Sequence, residues 1–148
     1  MHCFKDSKLM PYEAKIIKDV IMDVEQYPNF LPWCSSSNIL TRNDDFITVK
    51  LGIIFKGFSE SYISKIKLEE TEEQYTIFVE AISGPFEFLK NVWIIKKGNK
   101  LTKVDFFIDF KLKSKILDMV IGMVFSSATE KMIIAFEKQI GKLSCKIV

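Results

Sequence analysis

The chain has 148 residues, 48% of them hydrophobic and 27% charged, which is the size and composition of one ordinary globular domain and excludes a disordered or collagen-like protein. The net charge is only +2 at pH 7 and Arg42 is the single arginine, whereas dedicated nucleic-acid binders concentrate arginine and positive charge on one face. We therefore expect a single domain over residues 1–148 with no DNA partner.

Cysteine usage indicates the compartment. Cys3, Cys34 and Cys145 are odd in number and far apart, which matches neither a disulfide framework nor paired Cys-x-x-Cys metal ligands. The first ten residues contain three charged side chains and lack the apolar run of a signal peptide. The sequence therefore predicts a cytoplasmic protein that makes at most peripheral contact with the inner face of a membrane.

The first predicted helix covers Pro11 to Val24. Ala14, Ile17 and Ile21 recur there at helical spacing, and proline is well suited to a first helical turn. This pattern is typical of a short amphipathic helix with one buried face.

An apolar corner follows at residues 27–34, where Pro28 and Pro32 bracket aromatic side chains. Proline interrupts a helix and disfavours helical backbone in the residue before it, so this segment holds at most one helical turn. We expect Phe30 and Trp33 to lie at this corner and to close one end of the fold.

Between Asn38 and about Lys111 the hydrophobic period changes to two, which predicts β-strands. Polar or Gly/Pro breaks occur at residues 43–45, 56–57, 69–74, 83–85 and 98–99. Because these breaks are short, consecutive strands are expected to pair as hairpins in one antiparallel meander. The alternation is clearest at Ile47, Val49 and Leu51, at Tyr62, Ser64 and Ile66, and at Tyr75, Ile77 and Val79.

The last segment predicts one long helix from Ser114, a suitable N-cap, to about Ser144. Its first half is unusually apolar for a helix that only covers a sheet. It therefore covers a cavity, contacts a partner or a membrane, or is broadly buried in the core. One apolar stripe consists of Leu117, Ile121, Val124, Ala128, Met132, Ala135 and Phe136, and Ile116, Met119, Val120 and Met123 extend it around the first turns.

The sequence offers little for catalysis. The single histidine, His2, lies at the terminus, where chains are usually least ordered, so it is a poor base for a catalytic triad. Asp105 and Asp109 share one strand face opposite apolar residues and are expected to be solvated. Segment 52–57 has the glycine spacing of a phosphate loop, but residues 58–59 are Phe-Ser instead of Lys-Ser/Thr. We expect no catalytic residue, no metal ion and no cofactor, and interpret the protein as not an enzyme.

Four separated motifs occur in a distinctive order along the chain. They are DVEQYPNFLPWC at residues 23–34, Ser83-Gly84-Pro85-Phe86 followed by Leu89 and Trp93, Val104-Asp105-Phe106 continuing to Phe110, and Lys131-Met132 followed by Ala135-Phe136-Glu137. Together they resemble the START-like coenzyme Q-binding family. That family is also named polyketide cyclase/dehydrase and includes the ribosome association toxin RatA. The resemblance extends over residues 11–140.

The resemblance implies an α+β helix-grip fold, in which a curved antiparallel sheet wraps around a long C-terminal helix with an apolar cavity between them. The element order predicted from periodicity agrees with it. For function, it implies a non-catalytic carrier of a hydrophobic ligand, with ubiquinone as the ligand of the coenzyme Q branch and a role in respiration or quinone biosynthesis. Trp33 followed by Cys34 is the form associated with that branch.

Alternative functions stay open. The RatA branch is described as binding the large ribosomal subunit and blocking subunit association, which requires a basic surface that one arginine and a net charge of +2 support only weakly. A polyketide cyclase-like enzyme would require an acid–base pair that the sequence does not offer. In a further interpretation the phenylalanine side chains simply fill the cavity.

A long isoprenoid ligand requires an apolar channel between sheet and helix. The candidate ligand-binding residues are Phe30, Trp33 and Phe86 at the corners, Trp93, Phe106, Ile108 and Phe110 on two strands, and Met119 and Met123 on the last helix. We also predict reversible membrane contact by the corner at residues 27–33 and by the first turns of the last helix. Lys113 and Lys115 would lie there over anionic head groups.

Overall fold

One antiparallel sheet and three helices form the part of the chain that the computed structural model describes, residues 2–55, 57–98 and 100–146. The strands are β1 (His2–Met10), β2 (Cys34–Arg42), β3 (Ile47–Phe55), β4 (Phe58–Glu70), β5 (Gln74–Ser83), β6 (Phe86–Lys96) and β7 (Thr102–Leu112). Their order across the sheet is β1-β7-β6-β5-β4-β3-β2, so β2 to β7 pair in sequence order. The predicted meander and the α+β class are confirmed.

The first strand is a feature that the sequence analysis missed. β1 pairs antiparallel with β7, from His2 opposite Phe110 to Met10 opposite Thr102. The His2 ring packs against Phe110 and Phe125, and its Nε2 lies 3.0 Å from the Asp118 carboxylate. The expectation of little order at the N-terminus is therefore wrong, because the unpaired edge of β7 provides a template for these residues.

The hairpin between β5 and β6 depends on a glycine. Gly84 has a φ of 110°, a backbone conformation that side chains with a Cβ rarely adopt. A Cβ at this position would lie 2.5 Å from the Cβ of Tyr62. The predicted break at 83–85 is therefore a turn that requires glycine. The predicted breaks at 56–57 and 98–99 include Lys56 and Asn99, which lie outside the described residues.

Two short helices precede the meander. Helix α1 (Ala14–Met22) is shorter than predicted at both ends, and Glu13, at its N-cap, makes no capping hydrogen bond with its side chain. A 3₁₀ turn (Val24–Gln26) leads to α2 (Tyr27–Phe30). As predicted, the proline-bracketed corner holds one turn of helix, and its Tyr27 hydroxyl donates to the carbonyl of Ile21.

The long helix α3 (Lys115–Lys146) begins as predicted. The Ser114 hydroxyl accepts a hydrogen bond from the backbone N–H of Leu117 at 3.3 Å, so it caps the helix. From Thr129 onward the buried residues of α3 recur at helical spacing and face the core. These residues are Thr129, Ile133, Phe136 and Ile140.

An aromatic cluster joins α2, the sheet and α3. The Phe136 ring lies 5.4 Å from Tyr27, 5.3 Å from Phe30 and 5.1 Å from Trp93, measured between ring centroids. Each pair has the edge-to-face geometry that aromatic rings prefer. The cluster closes one end of the space between sheet and helix. By length and composition α3 would also suffice to cross a membrane, a property that core helices share.

Candidate functional site

An apolar cavity of about 200 Å³ lies between the inner face of the sheet and α3. This volume is several times the roughly 30 Å³ that one water molecule occupies, so the phenylalanine side chains do not fill the interior completely. The lining consists of Tyr27, Trp33, Leu51, Ile53, Phe55, Phe58, Tyr62, Ser64, Ile66, Val79, Phe86, Leu89, Asn91, Trp93, Ile108, Phe110, Leu112, Ile121, Val124, Phe125, Ala128, Thr129, Met132 and Phe136.

The exposure of the lining residues shows where the cavity opens. Phe55 and Phe58 at the β3–β4 hairpin and Ile121 on α3 are half-buried, whereas Ile66 and Trp93 are 3% exposed. One opening, which we call the mouth, lies between this hairpin and the first half of α3. Other lining residues, among them Trp33, Phe86 and Ala128, are half-buried as well. The closed end lies against the aromatic cluster.

Five of the nine candidate binding residues line this cavity. They are Trp33, Phe86, Trp93, Ile108 and Phe110. Alternation along the strands brings them together, because Ile108 and Phe110 lie two residues apart on β7 and Trp93 belongs to the neighbouring β6. Their role in holding a ligand stays a prediction.

Phe106 is buried in the core and the half-buried Phe30 packs against the core, so neither of these two candidate residues lines the cavity. Phe30 lies against Tyr27 and Phe136 at ring distances of 5.9 and 5.3 Å. Phe106 lies on the same strand face as the lining residue Ile108, but it packs against the Trp93 ring at 4.6 Å and is not part of the lining.

Met119 and Met123 lie on the outer face of α3, so their placement in the channel is also wrong. Their exposed fractions are 70% and 82%. The two methionines do lie on the same face of the helix, as their spacing predicts, but this face is the outer one. Because each residue advances a helix by about 100°, a residue two positions after the inward-facing Leu117 or Ile121 points to the opposite side.

Several lining residues were missed as site residues. Phe55, Phe58 and Phe125 were not proposed, although the alternation at Tyr62, Ser64 and Ile66 had already identified the face of β4 that lines the cavity. Phe125 follows the inward-facing Ile121 by one helical turn, so the stripe of α3 contained the signal that would have found it.

The lining carries no Asp, Glu, Lys, Arg or His among the described residues. Burial raises the pKa of both Tyr27 and Tyr62 above the ordinary tyrosine value, and the nearby Cys34 thiol adds to the effect. Burial also raises the pKa of Cys34 to about 11, although its hydrogen bond to the Ser36 backbone opposes this change. All three groups are therefore neutral at pH 7, and the described part of the cavity wall bears no net charge.

The other residues considered for chemistry lie away from the cavity. Asp105 accepts a hydrogen bond from the Ser7 hydroxyl at 2.7 Å on the opposite face of the sheet. Asp109, on the same strand face, is half-buried, so neither aspartate is as solvated as expected. Within the described ranges, no three His, Cys, Asp or Glu side chains come close enough to hold a metal ion.

Comparison with known families gives an extensive match. The family described as polyketide cyclase / dehydrase and lipid transport matches residues 10–137. A STAR-related lipid transfer protein of Xanthomonas axonopodis superposes with a TM-score of 0.83 at 13% identity, covering 93% of this chain and 85% of that one. This superposition supports the helix-grip fold that the motifs implied.

Two curated relatives carry different names. Ribosome association toxin RatA of Rickettsia prowazekii (strain Madrid E) is 44% identical over 140 residues, which cover 94% of this chain and 96% of the relative. Coenzyme Q-binding protein COQ10 homolog B, mitochondrial, of Xenopus laevis is 25% identical over 144 residues, which cover 95% of this chain and 58% of that protein.

Proposed function

The chain belongs to the polyketide cyclase / dehydrase and lipid transport family, and we propose that it is a non-catalytic binding protein that carries ubiquinone in the cavity between the sheet and α3. The observation that carries this proposal is a partly open cavity of about 200 Å³ whose described lining residues are uncharged and largely apolar. An apolar cavity favours an apolar ligand, whereas an ion would lose its hydration without gaining a counter-charge.

The size of the cavity suits part of a quinone. A volume of about 200 Å³ accommodates a substituted ring with the start of its tail, and the rest of a long isoprenoid tail would extend through the mouth past Phe55, Phe58 and Ile121. The similarity to a coenzyme Q-binding protein supports a quinone over other apolar ligands.

The outer surface of α3 beside the mouth suits a protein that exchanges its ligand with a membrane. Ile116, Met119 and Met123 are 76%, 70% and 82% exposed, and the exposed side chains of Lys113 and Lys115 lie at the start of the same helix. Apolar side chains flanked by lysine favour an anionic lipid surface. The 27–33 corner contributes less, because Tyr27 and Leu31 are buried.

Ribosome association is a second candidate function, and 44% identity to a protein named ribosome association toxin RatA favours it. Charge gives it less support. The net charge is +2 and arginine, the residue best suited to bidentate phosphate contacts, occurs once. A cyclase activity is not proposed, since none of the described lining residues has a group that would transfer a proton near pH 7.

One preparation distinguishes the two candidates. The protein is purified from a bacterium that makes ubiquinone, and it is analysed by native mass spectrometry and by solvent extraction of bound lipid. The same lysate is fractionated on a sucrose gradient. We expect co-purified quinone and protein at the top of the gradient. Protein that co-sediments with the large ribosomal subunit and carries no lipid would contradict the carrier function and favour ribosome association.

A further inference from the structure

The cavity wall contains a fully buried serine hydroxyl. Ser64 on β4 is 0% exposed, and its Oγ forms no hydrogen bond within the described part of the chain. It lies opposite Val49 on β3 and Ala81 on β5, on the face of the sheet that lines the cavity. Buried polar groups nearly always have a hydrogen-bond partner, so this exception calls for one.

A second polar side chain lies one strand away. Asn91 on β6 pairs with Val79, the inward-facing residue of β5 that precedes Ala81 by two positions. Its Nδ2 donates to the carbonyl of Phe107 at 2.8 Å, which fixes the orientation of the amide. A primary amide has a second N–H, and the structure gives that N–H no acceptor among the residues it describes. Ser64 and Asn91 are thus two polar side chains in an otherwise apolar wall, and they lie opposite β5 residues that are two positions apart.

The unpartnered polar groups of the described lining can all donate a hydrogen bond, although the Ser64 hydroxyl and the Asn91 amide oxygen can also accept one. The indole N–H of Trp33 also lacks a partner in the described ranges, and an indole can only donate. A ligand that matches this wall therefore presents oxygen acceptors. It is also uncharged, because the described residues of the same wall offer no counter-charge to an ionic head group.

We propose that Ser64 and Asn91 bind the head of the ligand, that this head is an uncharged ring bearing carbonyl oxygens, and that the Ser64 hydroxyl donates a hydrogen bond to one of them. This inference rests on the proposed carrier function and adds an orientation to it. The ring lies inside against β4 and β6, and the apolar tail leaves between the β3–β4 hairpin and α3.

The test compares two serine variants that differ in position. Ser64→Ala removes the hydroxyl in the cavity wall. Ser37→Ala removes the hydroxyl of Ser37 on β2, which is also unpartnered among described residues but lies outside the cavity lining. Dissociation constants are measured by calorimetry for a ubiquinone with a two-isoprenoid tail and for an isoprenoid hydrocarbon of the same tail length. Thermal unfolding without ligand reports the folding of each variant.

We expect Ser64→Ala to weaken quinone binding by roughly 5- to 10-fold, the loss that corresponds to one hydrogen bond, and to leave hydrocarbon binding within about twofold. Ser37→Ala should change neither. The melting temperature of ligand-free Ser64→Ala should equal or exceed that of the wild type, because the substitution removes an unpartnered buried hydroxyl.

Three outcomes contradict the inference. If Ser64→Ala binds the quinone as tightly as the wild type, or loses quinone and hydrocarbon equally, Ser64 does not contact the ring. The carrier function would then stand, because the wild type still binds the quinone. A wild-type protein that binds no quinone contradicts the carrier function, and this head-group site with it.

Discussion

The two halves of α3 contain similar numbers of apolar residues, although the first half has fewer charged ones, and their surroundings are opposite. In the second half, Ile133, Phe136 and Ile140 are at most 3% exposed and belong to the core. In the first half, Ile116 and Met123 are more than three-quarters exposed, while the inward face covers the cavity. The second half therefore mainly stabilises the fold, and its Met132 and Phe136 also border the cavity. The first half uses its apolar side chains to line the cavity and to form an exposed apolar surface.

This difference teaches that the apolar content of a helix does not reveal how much of it is core. A helix that packs on a filled interior needs one apolar stripe. A helix that covers a cavity and also contacts a membrane needs apolar residues on two faces, and the first half of α3 has both. Substitutions in the two halves should therefore have different effects.

The largest expected effect is on stability in the second half. Phe136→Ala removes a 3% exposed ring that contacts Tyr27, Phe30 and Trp93, and should lower the free energy of unfolding by about 3–5 kcal/mol. Met123→Ala, on the exposed face of the first half, should change it by less than about 0.5 kcal/mol. Urea denaturation measures both. Similar losses for the two variants would contradict the division of α3 into core and cavity halves.

The next largest effect concerns ligand occupancy. Ala128 lines the cavity, so Ala128→Leu should displace most of the bound quinone by occupying part of the cavity volume. Stability should fall by less than the roughly 1–3 kcal/mol that overpacking a filled core costs. Met123→Phe is the matched control, because it adds volume to the same half of α3 on the exposed side. Quinone extracted per mole of protein is the measurement. Ala128→Leu that retains wild-type quinone would show that the ligand lies elsewhere.

A smaller effect is expected at the membrane. Replacing both Met119 and Met123 with Gln should reduce flotation with vesicles that contain anionic lipid by about tenfold, since each side chain contributes apolar area to the contact. Ile134→Gln, at a 44% exposed position of the second half, serves as control and should float like the wild type. Vesicles of neutral lipid should bind the wild type less. Equal flotation of all three proteins would contradict membrane contact through Met119 and Met123.

The smallest effect is a pH dependence at the start of α3. The backbone N–H of Leu112 donates to the Asp118 carboxylate at 2.9 Å and, together with His2, lowers the pKa of that carboxyl. A lowered pKa in the folded state stabilises the protein above the ordinary carboxyl pKa, and this contribution is lost as the pH falls through the lowered value. Asp118→Asn should therefore destabilise at pH 7 by less than about 1 kcal/mol, and by a smaller amount at pH 3. An equal loss at both pH values would contradict this account.

The sheet and the long helix could be predicted because their periodicities are local properties of the sequence. Each pattern can be recognised within one segment of the chain, without knowing its partners in the fold. Examples are the alternation at Tyr62, Ser64 and Ile66 and the apolar stripe that ends at Phe136. β1 could not be predicted in the same way. Its stability comes from pairing with β7, about 100 residues away, and from His2 contacting Asp118, which no local pattern records.

The site was predicted in part for a related reason. Trp93, Ile108 and Phe110 followed from strand alternation. Met119 was placed on the wrong side because the first half of α3 has apolar residues on two faces, and the sequence does not indicate which face is turned inward. Phe106 was placed in the channel because it shares a strand face with Ile108 and Phe110. Its contact with Trp93 on the neighbouring strand, which keeps it out of the lining, depends on packing between strands. Ser64 was recognised as an inward strand residue, but its missing hydrogen-bond partner is visible only in three dimensions.

The most direct test of the carrier account uses methionine methyl groups as reporters on the two faces of α3. Protein labelled with ¹³C at the methionine methyls is titrated with short-tail ubiquinone and followed by NMR. Met132 lines the cavity, whereas Met119 and Met123 lie on the outer face. The account predicts that the Met132 resonance shifts and saturates while those of Met119 and Met123 stay unchanged. A shift of Met119 and Met123 without Met132, or no shift of any of the three, would contradict it.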